Sequence, residues 1–216
     1  MAAGVNGFRM PNLWSVNYYL PSIGEGFYRR GLAGSVLLLH GDIRFSYHAI
    51  ALTQFIVFMS LNFLMILAFT RQSLPSKWLL PIFMLGPMGG YFFHEIGYIE
   101  QLLYLILFLA IFIEVRLISN TLIVGSLLFH EMALFTTIPL YLGYLIIKKG
   151  SKIEMLAVVM SCGALFGLIY IFFQTVNPIK LEFFIDQLVK LSNYSPRLDY
   201  YEIFSNKFIG PRSQWY

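Results

Sequence analysis

Long stretches without a charged side chain recur along this sequence and limit what it can fold into. A helix of roughly 20 residues crosses a hydrocarbon core of about 30 Å with its backbone groups hydrogen-bonded internally. Residues 48–69 and 155–176 are two such stretches. Only 12% of all residues are charged and 58% are hydrophobic, against about 25% charged in an average soluble domain. The sequence therefore predicts an all-α, polytopic helical membrane protein.

Three further apolar segments are shorter or interrupted. Residues 32–39 are too few to cross a membrane and predict a juxtamembrane or re-entrant helix. Residues 78–93 contain Pro81, Pro87 and several glycines, which predict a kinked or broken helix. Residues 101–113 need their flanking residues to cross. We expect about five to six spanning or re-entrant helices in all.

The chain divides into three predicted regions. Residues 1–47 are rich in aromatic side chains typical of headgroup depth, and predict an extracytoplasmic or interfacial loop with a juxtamembrane helix. Residues 48–176 form the transmembrane helical domain. Residues 177–216 begin with an Asn-Pro helix start, followed by an amphipathic helix that we expect to lie on a membrane or a partner. The residues of its apolar face are Leu181, Phe184, Ile185, Leu188 and Leu191.

The end of the chain carries no clear element in the sequence. Residues 197–216 form a polar and aromatic tail. Within it, we expect residues 199–202 to form a solvated, interfacial surface. Interfacial elements are thus predicted near both ends of the chain.

The positions of the basic residues predict the topology. Arg71 and Lys77 follow the first long apolar stretch, and by the positive-inside rule their loop is cytoplasmic. The preceding residues 1–47 are then extracytoplasmic. Since lysines and arginines sit between apolar runs, the net charge of +4 indicates topology signals rather than a nucleic-acid surface.

Residues 117–147 allow two topologies. As one long tilted span, they would put the lysines that follow on the extracytoplasmic side, against the positive-inside rule. As two short helices turning near His130 and Glu131, they return those lysines to the cytoplasm. We prefer the second topology, because short helices are tolerated where protein covers them.

The segment Glu25-Gly-Phe-Tyr-Arg-Arg-Gly-Leu-Ala-Gly34 is charged and rich in glycine. On a helix, Glu25 and Arg29 would share a face. A carboxylate beside two guanidinium groups suits a general base next to a phosphate or pyrophosphate site, with Arg29 and Arg30 giving forked hydrogen bonds. The alternative is that the arginines bind membrane-lipid phosphates and Glu25 offsets their charge.

Two short blocks, His94-Glu95 and His130-Glu131, follow Phe residues in separate apolar segments, and Glu100 follows the first block. In the preferred topology all of them reach the extracytoplasmic face, where ionisable side chains are functional candidates. Neither block continues as a zinc-protease motif, so no motif supports a divalent metal, but two histidines and two carboxylates from different helices could still ligate one. The alternatives are interhelical hydrogen bonds or a helix end. No nucleotide-binding motif or other cofactor signature is evident.

The Glu25–Gly34 segment, the short spans and the His130-Glu131 block before a proline-bearing stretch resemble bacterial membrane proteins of surface-polysaccharide gene clusters. These are O-antigen polymerases and GT-C-like glycosyltransferases that use lipid-linked sugars. The resemblance covers residues 24–34 and 128–139. It implies an inner-membrane protein whose extracytoplasmic site takes an undecaprenyl-linked sugar, with Glu25 in the acidic position. Arg29 and Arg30 would bind the lipid phosphate. The short chain, with no helix before this loop, leads us to expect a fragment.

Three functions remain open. The first is glycosyl transfer or polymerisation, in which Glu25 or Glu131, with His130 beside it, deprotonates an acceptor hydroxyl while arginines stabilise the departing phosphate. His94, Glu95 and Glu100 would be supporting polar residues of that site. The second is a transporter or lipid flippase, which the broken helix at residues 81–90 favours. The third is a non-catalytic membrane assembly subunit.

Overall fold

The computed structural model describes residues 10–39, 41–70, 82, 96–172 and 175–204, apart from the side chains of Asp42 and Ile203. Over these ranges the chain is helical and no strand is present, which confirms the all-α prediction. The α-helices are α1 (Leu13–Val16), α2 (Leu32–Leu38), α3 (Tyr47–Thr70), α4 (Ile99–Phe112), α5 (Arg116–Phe129), α6 (Thr137–Ile147), α7 (Lys152–Phe172) and α8 (Pro178–Leu191). Short 3-10 helices cover Asn17–Tyr19, Ile23–Glu25, Asp42–Phe45, Glu131–Leu134 and Leu198–Phe204.

Two helices, α3 and α7, are long and apolar enough to cross a membrane, judged by length and composition. Within their most apolar windows only 33% and 17% of residues, respectively, are buried inside the protein. Large apolar side chains such as Phe63 and Phe172 therefore point away from it. The helices α4, α5 and α6 are apolar as well but shorter.

Residues 117–147 form two short helices, as predicted. Helix α5 ends at Phe129 because His130 is extended, with φ −166° and ψ 140°. A 3-10 turn follows, and α6 begins at Thr137, so that Pro139 lies in its first turn, where a missing N–H costs little. At a rise of 1.5 Å per residue, α5 and α6 are only about 21 and 16 Å long.

The α-helices from α4 to α7 share one hydrophobic core. Helix α4 packs against α3, α5 and α6, and α5 also packs against α7. This core is built from Leu103, Ile123, Leu127, Tyr141, Leu145, Cys162 and their neighbours.

The two ends of the chain share a second core, which we call the terminal core. Helix α8 is capped by Asn177 and begins at Pro178, as predicted. Its apolar face packs against the N-terminal region of the protein itself, where Phe184 contacts Phe27 at a ring-centroid distance of 5.0 Å. The other members of this core include Val16, Leu20, Phe45, Leu181, Leu188, Tyr200, Tyr201 and Phe204.

The prediction of a solvated surface at residues 199–202 is wrong for its tyrosines. Tyr200 and Tyr201 are almost completely buried, with 1% and 0% of their surfaces exposed. The 3-10 helix Leu198–Phe204 inserts them into the terminal core, and the Val176 N–H donates to the Phe204 carbonyl to hold this helix in place. Asp199 and Glu202 stay exposed.

Candidate functional site

Arg29 and Arg30 lie in a turn between the 3-10 helix Ile23–Glu25 and α2. Arg30 has φ +64°, in the left-handed region that costs a non-glycine residue on the order of 1 kcal/mol. The next residue must be glycine, since a Cβ on Gly31 would lie 1.9 Å from the Phe27 carbonyl oxygen. This tight turn directs both arginines towards the break between α5 and α6.

Both arginines bind the same carboxylate, that of Glu131. Arg29 Nη2 donates to Glu131 Oε1 at 2.7 Å, and Arg30 Nε donates to Glu131 Oε2 at 2.9 Å. Arg30 Nη2 also donates to Glu131 Oε1, which completes a fork. The three side chains are 24%, 13% and 23% exposed, so the site is largely but not fully shielded from solvent.

His130 lies beside this carboxylate, with Nδ1 3.8 Å from Glu131 Oε2. Burial is the main reason that the pKa of His130 falls to about 4, and Arg30 and Arg29 lower it further against the opposing effect of Glu131. The imidazole is therefore neutral at pH 7. Since Nδ1 accepts from the Met132 N–H at 3.1 Å, the ring proton lies on Nε2.

The charges of this arginine–glutamate cluster (Arg29, Arg30, His130 and Glu131) do not cancel. Burial alone would raise the pKa of Glu131, but the hydrogen bonds from Arg30 and Arg29 outweigh it and hold that pKa well below its usual range. Burial likewise opposes the charge of Arg30, yet its bonds to Glu131 raise its pKa overall. Two cations face one anion and a neutral ring, so one positive charge remains among these four side chains.

Glu25 does not share a helix face with Arg29, and this prediction is wrong. Gly26 is left-handed, with φ +97°, and ends the 3-10 helix after Glu25. The Glu25 carboxylate instead accepts a fork from Arg44, at 2.7 and 2.6 Å. It also accepts from the Ser22 hydroxyl at 2.9 Å. Arg44 is buried, so this pair fastens the loop to the 3-10 helix Asp42–Phe45.

The remaining predicted site residues are placed as follows. Glu100 lies in the first turn of α4, where the helix dipole stabilises a carboxylate. Burial raises the pKa of the neighbouring Tyr18, and the charge of Glu100 adds to the rise. His94 and Glu95 lie outside the described residues, as does the predicted broken helix at residues 81–90 apart from Ile82. Among the described residues, no group of three or more His, Cys, Asp or Glu side chains is placed to hold a metal ion.

Tyr18 connects the cluster to a surface cavity. Its ring contacts the His130 ring at a centroid distance of 5.5 Å and the Tyr98 ring at 6.2 Å. Its hydroxyl accepts from Trp14 Nε1 at 3.3 Å. Trp14 and Tyr98 line a cavity of about 630 Å³, together with Asn12, Leu13 and Arg197. We call this the Trp14 cavity.

Sequence reasoning missed Arg44, Tyr18 and the residues of the cavity. No local pattern marks them, because their partners are distant in sequence: Asn12 and Tyr98 are 86 positions apart and Asn17 and Arg197 are 180 apart. Comparison with protein families, characterised proteins and solved structures finds no match to this chain.

Proposed function

We propose that this chain is a membrane protein that binds a polyprenyl-phosphate-linked sugar and transfers the sugar to an acceptor hydroxyl. The observation that carries the proposal is the convergence of Arg29 and Arg30 on the single carboxylate of Glu131. Planar guanidinium groups in pairs suit the forked binding of phosphate oxygens. The net positive charge of these two arginines, His130 and Glu131 favours a second anion at the same place.

The membrane placement is part of the proposal. Helices α3 and α7 have the length and composition of spans, and α5 and α6 are each too short to cross alone. We place their turn at the extracytoplasmic face of a bacterial inner membrane, because the lysines after α6 then lie in the cytoplasm. The phosphate of a membrane-anchored substrate would lie at headgroup depth, near the cluster.

Glu131 is the anion bound to both arginines in this structure, and we infer that a substrate phosphate replaces it there. The phosphodiester of the donor competes for both guanidinium groups, because it offers two non-bridging oxygens as acceptors and its charge rises towards two as the bond to the sugar breaks. When the arginines turn to the phosphate, the hydrogen bonds that lower the pKa of Glu131 are lost. Burial then raises that pKa, which makes Glu131 a stronger base.

The proposed reaction uses this replacement of Glu131 by the phosphate on the two arginines. Glu131 accepts the proton of an acceptor hydroxyl, and the hydroxyl oxygen forms a bond to the anomeric carbon of the donor sugar. The bond between that carbon and the phosphate oxygen breaks, and the electron pair leaves with the polyprenyl phosphate. Arg29 and Arg30 stabilise the departing charge. Glu25, held by Arg44 and Ser22, has a structural role in fixing the loop.

The test uses purified protein in phospholipid vesicles. The donors are synthetic prenyl phosphates that carry glucose, galactose or N-acetylglucosamine, and the acceptors are simple glycosides. Mass spectrometry should detect a new glycosidic product, and Arg30→Gln should reduce its rate by roughly 100-fold or more, as loss of a charge-stabilising donor does. Lys190→Gln is the matched control, because Lys190 pairs with Asp186 on the exposed surface of α8.

Two outcomes would overturn the proposal. The first is product formation that Arg29→Gln and Arg30→Gln both leave unchanged. The second is movement of the intact donor across the bilayer without any covalent product, which would favour the transporter or flippase alternative.

A further inference from the structure

The Trp14 cavity is separate from the arginine–glutamate cluster and has a different chemistry. Its volume of about 630 Å³ lies in the range of roughly 300–1,000 Å³ that is usual for small-ligand sites. Trp14 and Tyr98 supply aromatic surface. Asn12, Tyr98 and Arg197 are the polar residues of its lining, and the Asn12 amide donates to the Tyr98 hydroxyl at 3.2 Å.

The charge of the cavity is balanced. Arg197 donates to Asp199 through Nε and Nη2, at 3.1 and 2.5 Å. Its guanidinium carbon also lies 4.9 Å from the centre of the Trp14 ring. The four side chains of the cluster carry a net positive charge, whereas Arg197, the one cation among the described residues that line this cavity, already has its anion. The cavity therefore favours a neutral ligand.

Buried amide side chains hold the walls of the cavity in place. Asn17 Nδ2 donates to the Arg197 carbonyl at 3.1 Å, and Asn17 Oδ1 accepts from the Tyr201 hydroxyl. Gln54 Nε2 donates to the carbonyls of Ser15 and Gly97, the residues that follow Trp14 and precede Tyr98. Both amides are fully buried. Three distant parts of the chain are thus fixed around one space before any ligand binds.

We infer that the Trp14 cavity binds a pyranose ring of the acceptor glycan. A pyranose has an apolar face of C–H groups that packs on aromatic rings, and hydroxyl groups at its edge that bond to amides, hydroxyls and guanidinium groups. Tyr18 lies between this cavity and His130. A sugar in the cavity is one aromatic side chain away from His130, which lies beside Glu131, so the next sugar of the same chain extends towards that carboxylate. The inference rests on the proposed function, because it assigns the acceptor side of the same site.

The experiment measures binding of methyl glycosides to the full chain in phospholipid nanodiscs. The probes are the methyl glycosides of glucose, galactose, mannose and N-acetylglucosamine. The protein has three tryptophans, and Trp78→Phe with Trp215→Phe leaves Trp14 as the only reporter. At least one glycoside should change Trp14 fluorescence saturably.

Matched variants distinguish a loss of binding in the cavity from a general loss of folding. Asn12→Asp removes the amide donor to Tyr98 but keeps the Oδ1 atom that caps α1. We expect Asn12→Asp and Tyr98→Phe each to weaken glycoside binding by roughly three- to tenfold, the usual effect of one lost hydrogen bond. Tyr170→Phe, on the exposed surface of α7, should leave it unchanged.

Pyrophosphate binding, measured calorimetrically in the same samples, keeps this inference distinct from the proposed function. Saturable glycoside binding that the cavity variants weaken shows that the cavity binds a pyranose. If pyrophosphate does not bind in the same samples, the proposed function fails, and the acceptor role of that pyranose fails with it. Pyrophosphate binding with no saturable glycoside response would overturn the inference alone. Glycoside binding that neither cavity variant changes would also overturn it.

Discussion

Arg30 and Glu131 lie 101 positions apart in the sequence and meet in a fork, with Arg30 Nε 2.9 Å from Glu131 Oε2. The pair joins the turn before α2 to the turn between α5 and α6. Arg29 also bonds to the Glu131 carboxylate, and His130 lies beside it. The left-handed backbone of Arg30 and the break in the helix at His130 both cost local free energy. Both lie where this ion pair forms.

The first prediction concerns the contribution of this pair to stability. Glu131→Gln leaves two partly buried guanidinium groups without their anion, and should lower the free energy of unfolding by about 1–3 kcal/mol. Thermal unfolding of the purified protein in detergent would show a lower Tm. Lys190→Gln breaks an exposed pair and should cost less than about 0.5 kcal/mol. Equal shifts for the two variants would contradict the account.

The second prediction concerns pH. Burial first of all holds the pKa of His130 at about 4, whereas an unfolded histidine has a pKa of about 6.5. Between these values the unfolded chain binds more protons, so stability should fall as the pH drops from about 6.5, by at most about 1.4 kcal/mol per unit. The pKa of Glu131 is lowered by Arg30 and Arg29, so its contribution is lost only at lower pH.

Unfolding temperatures measured between about pH 8 and pH 4.5 would check this loss of stability, because the range includes the ordinary pKa of histidine. His130→Gln cannot titrate and should reduce the slope below about pH 6.5. His48 is exposed on α3, so His48→Gln should keep the wild-type slope. The same slope in all three proteins would show that His130 is not the group responsible.

The third prediction compares two glycines. A Cβ on Gly34 would lie 2.0 Å from the Pro21 carbonyl oxygen, so Gly34→Ala must push α2 away from residues 20–21 and should strongly destabilise the fold. Gly163 on α7 has nothing within 4 Å of its Cβ position. Gly163→Ala should be neutral or stabilising by about 0.5–1 kcal/mol, because it removes freedom from the unfolded chain. Thermal unfolding distinguishes these opposite signs.

The fourth prediction concerns Gln54, a polar residue inside the apolar helix α3. Gln54→Leu removes the amide donor from the Gly97 carbonyl and from the Ser15 carbonyl, which keeps only its bond from the Asn17 N–H, and should cost about 1–3 kcal/mol. Asn62→Leu is the control, since within the described residues the Asn62 amide donates to the Phe58 carbonyl of its own helix. A smaller Tm loss for Gln54→Leu than for Asn62→Leu would contradict the role of Gln54 in holding the cavity walls.

The sequence predicted the helical class, the break at His130 and the cap at Asn177, because each depends on local composition or on a short pattern. It also selected Arg29, Arg30, His130 and Glu131, since charged side chains are rare in apolar surroundings. It could not predict that Arg44 binds Glu25, or that Tyr200 is buried. Those outcomes depend on which distant segments pack together. In the sequence Glu25 is closer to Arg29 than to Arg44, which is its partner in the structure.

The central claim is that Glu131 occupies an anion site that a substrate phosphate takes over. Isothermal titration with farnesyl phosphate as the probe, on nanodisc-embedded protein, tests it most directly through two variants with opposite expectations. Arg30→Gln should weaken binding, by roughly tenfold or more for a lost charge-assisted contact. Glu131→Gln should tighten binding, because the competing carboxylate is gone. If Glu131→Gln weakens binding as Arg30→Gln does, or if neither variant changes it, the claim is wrong.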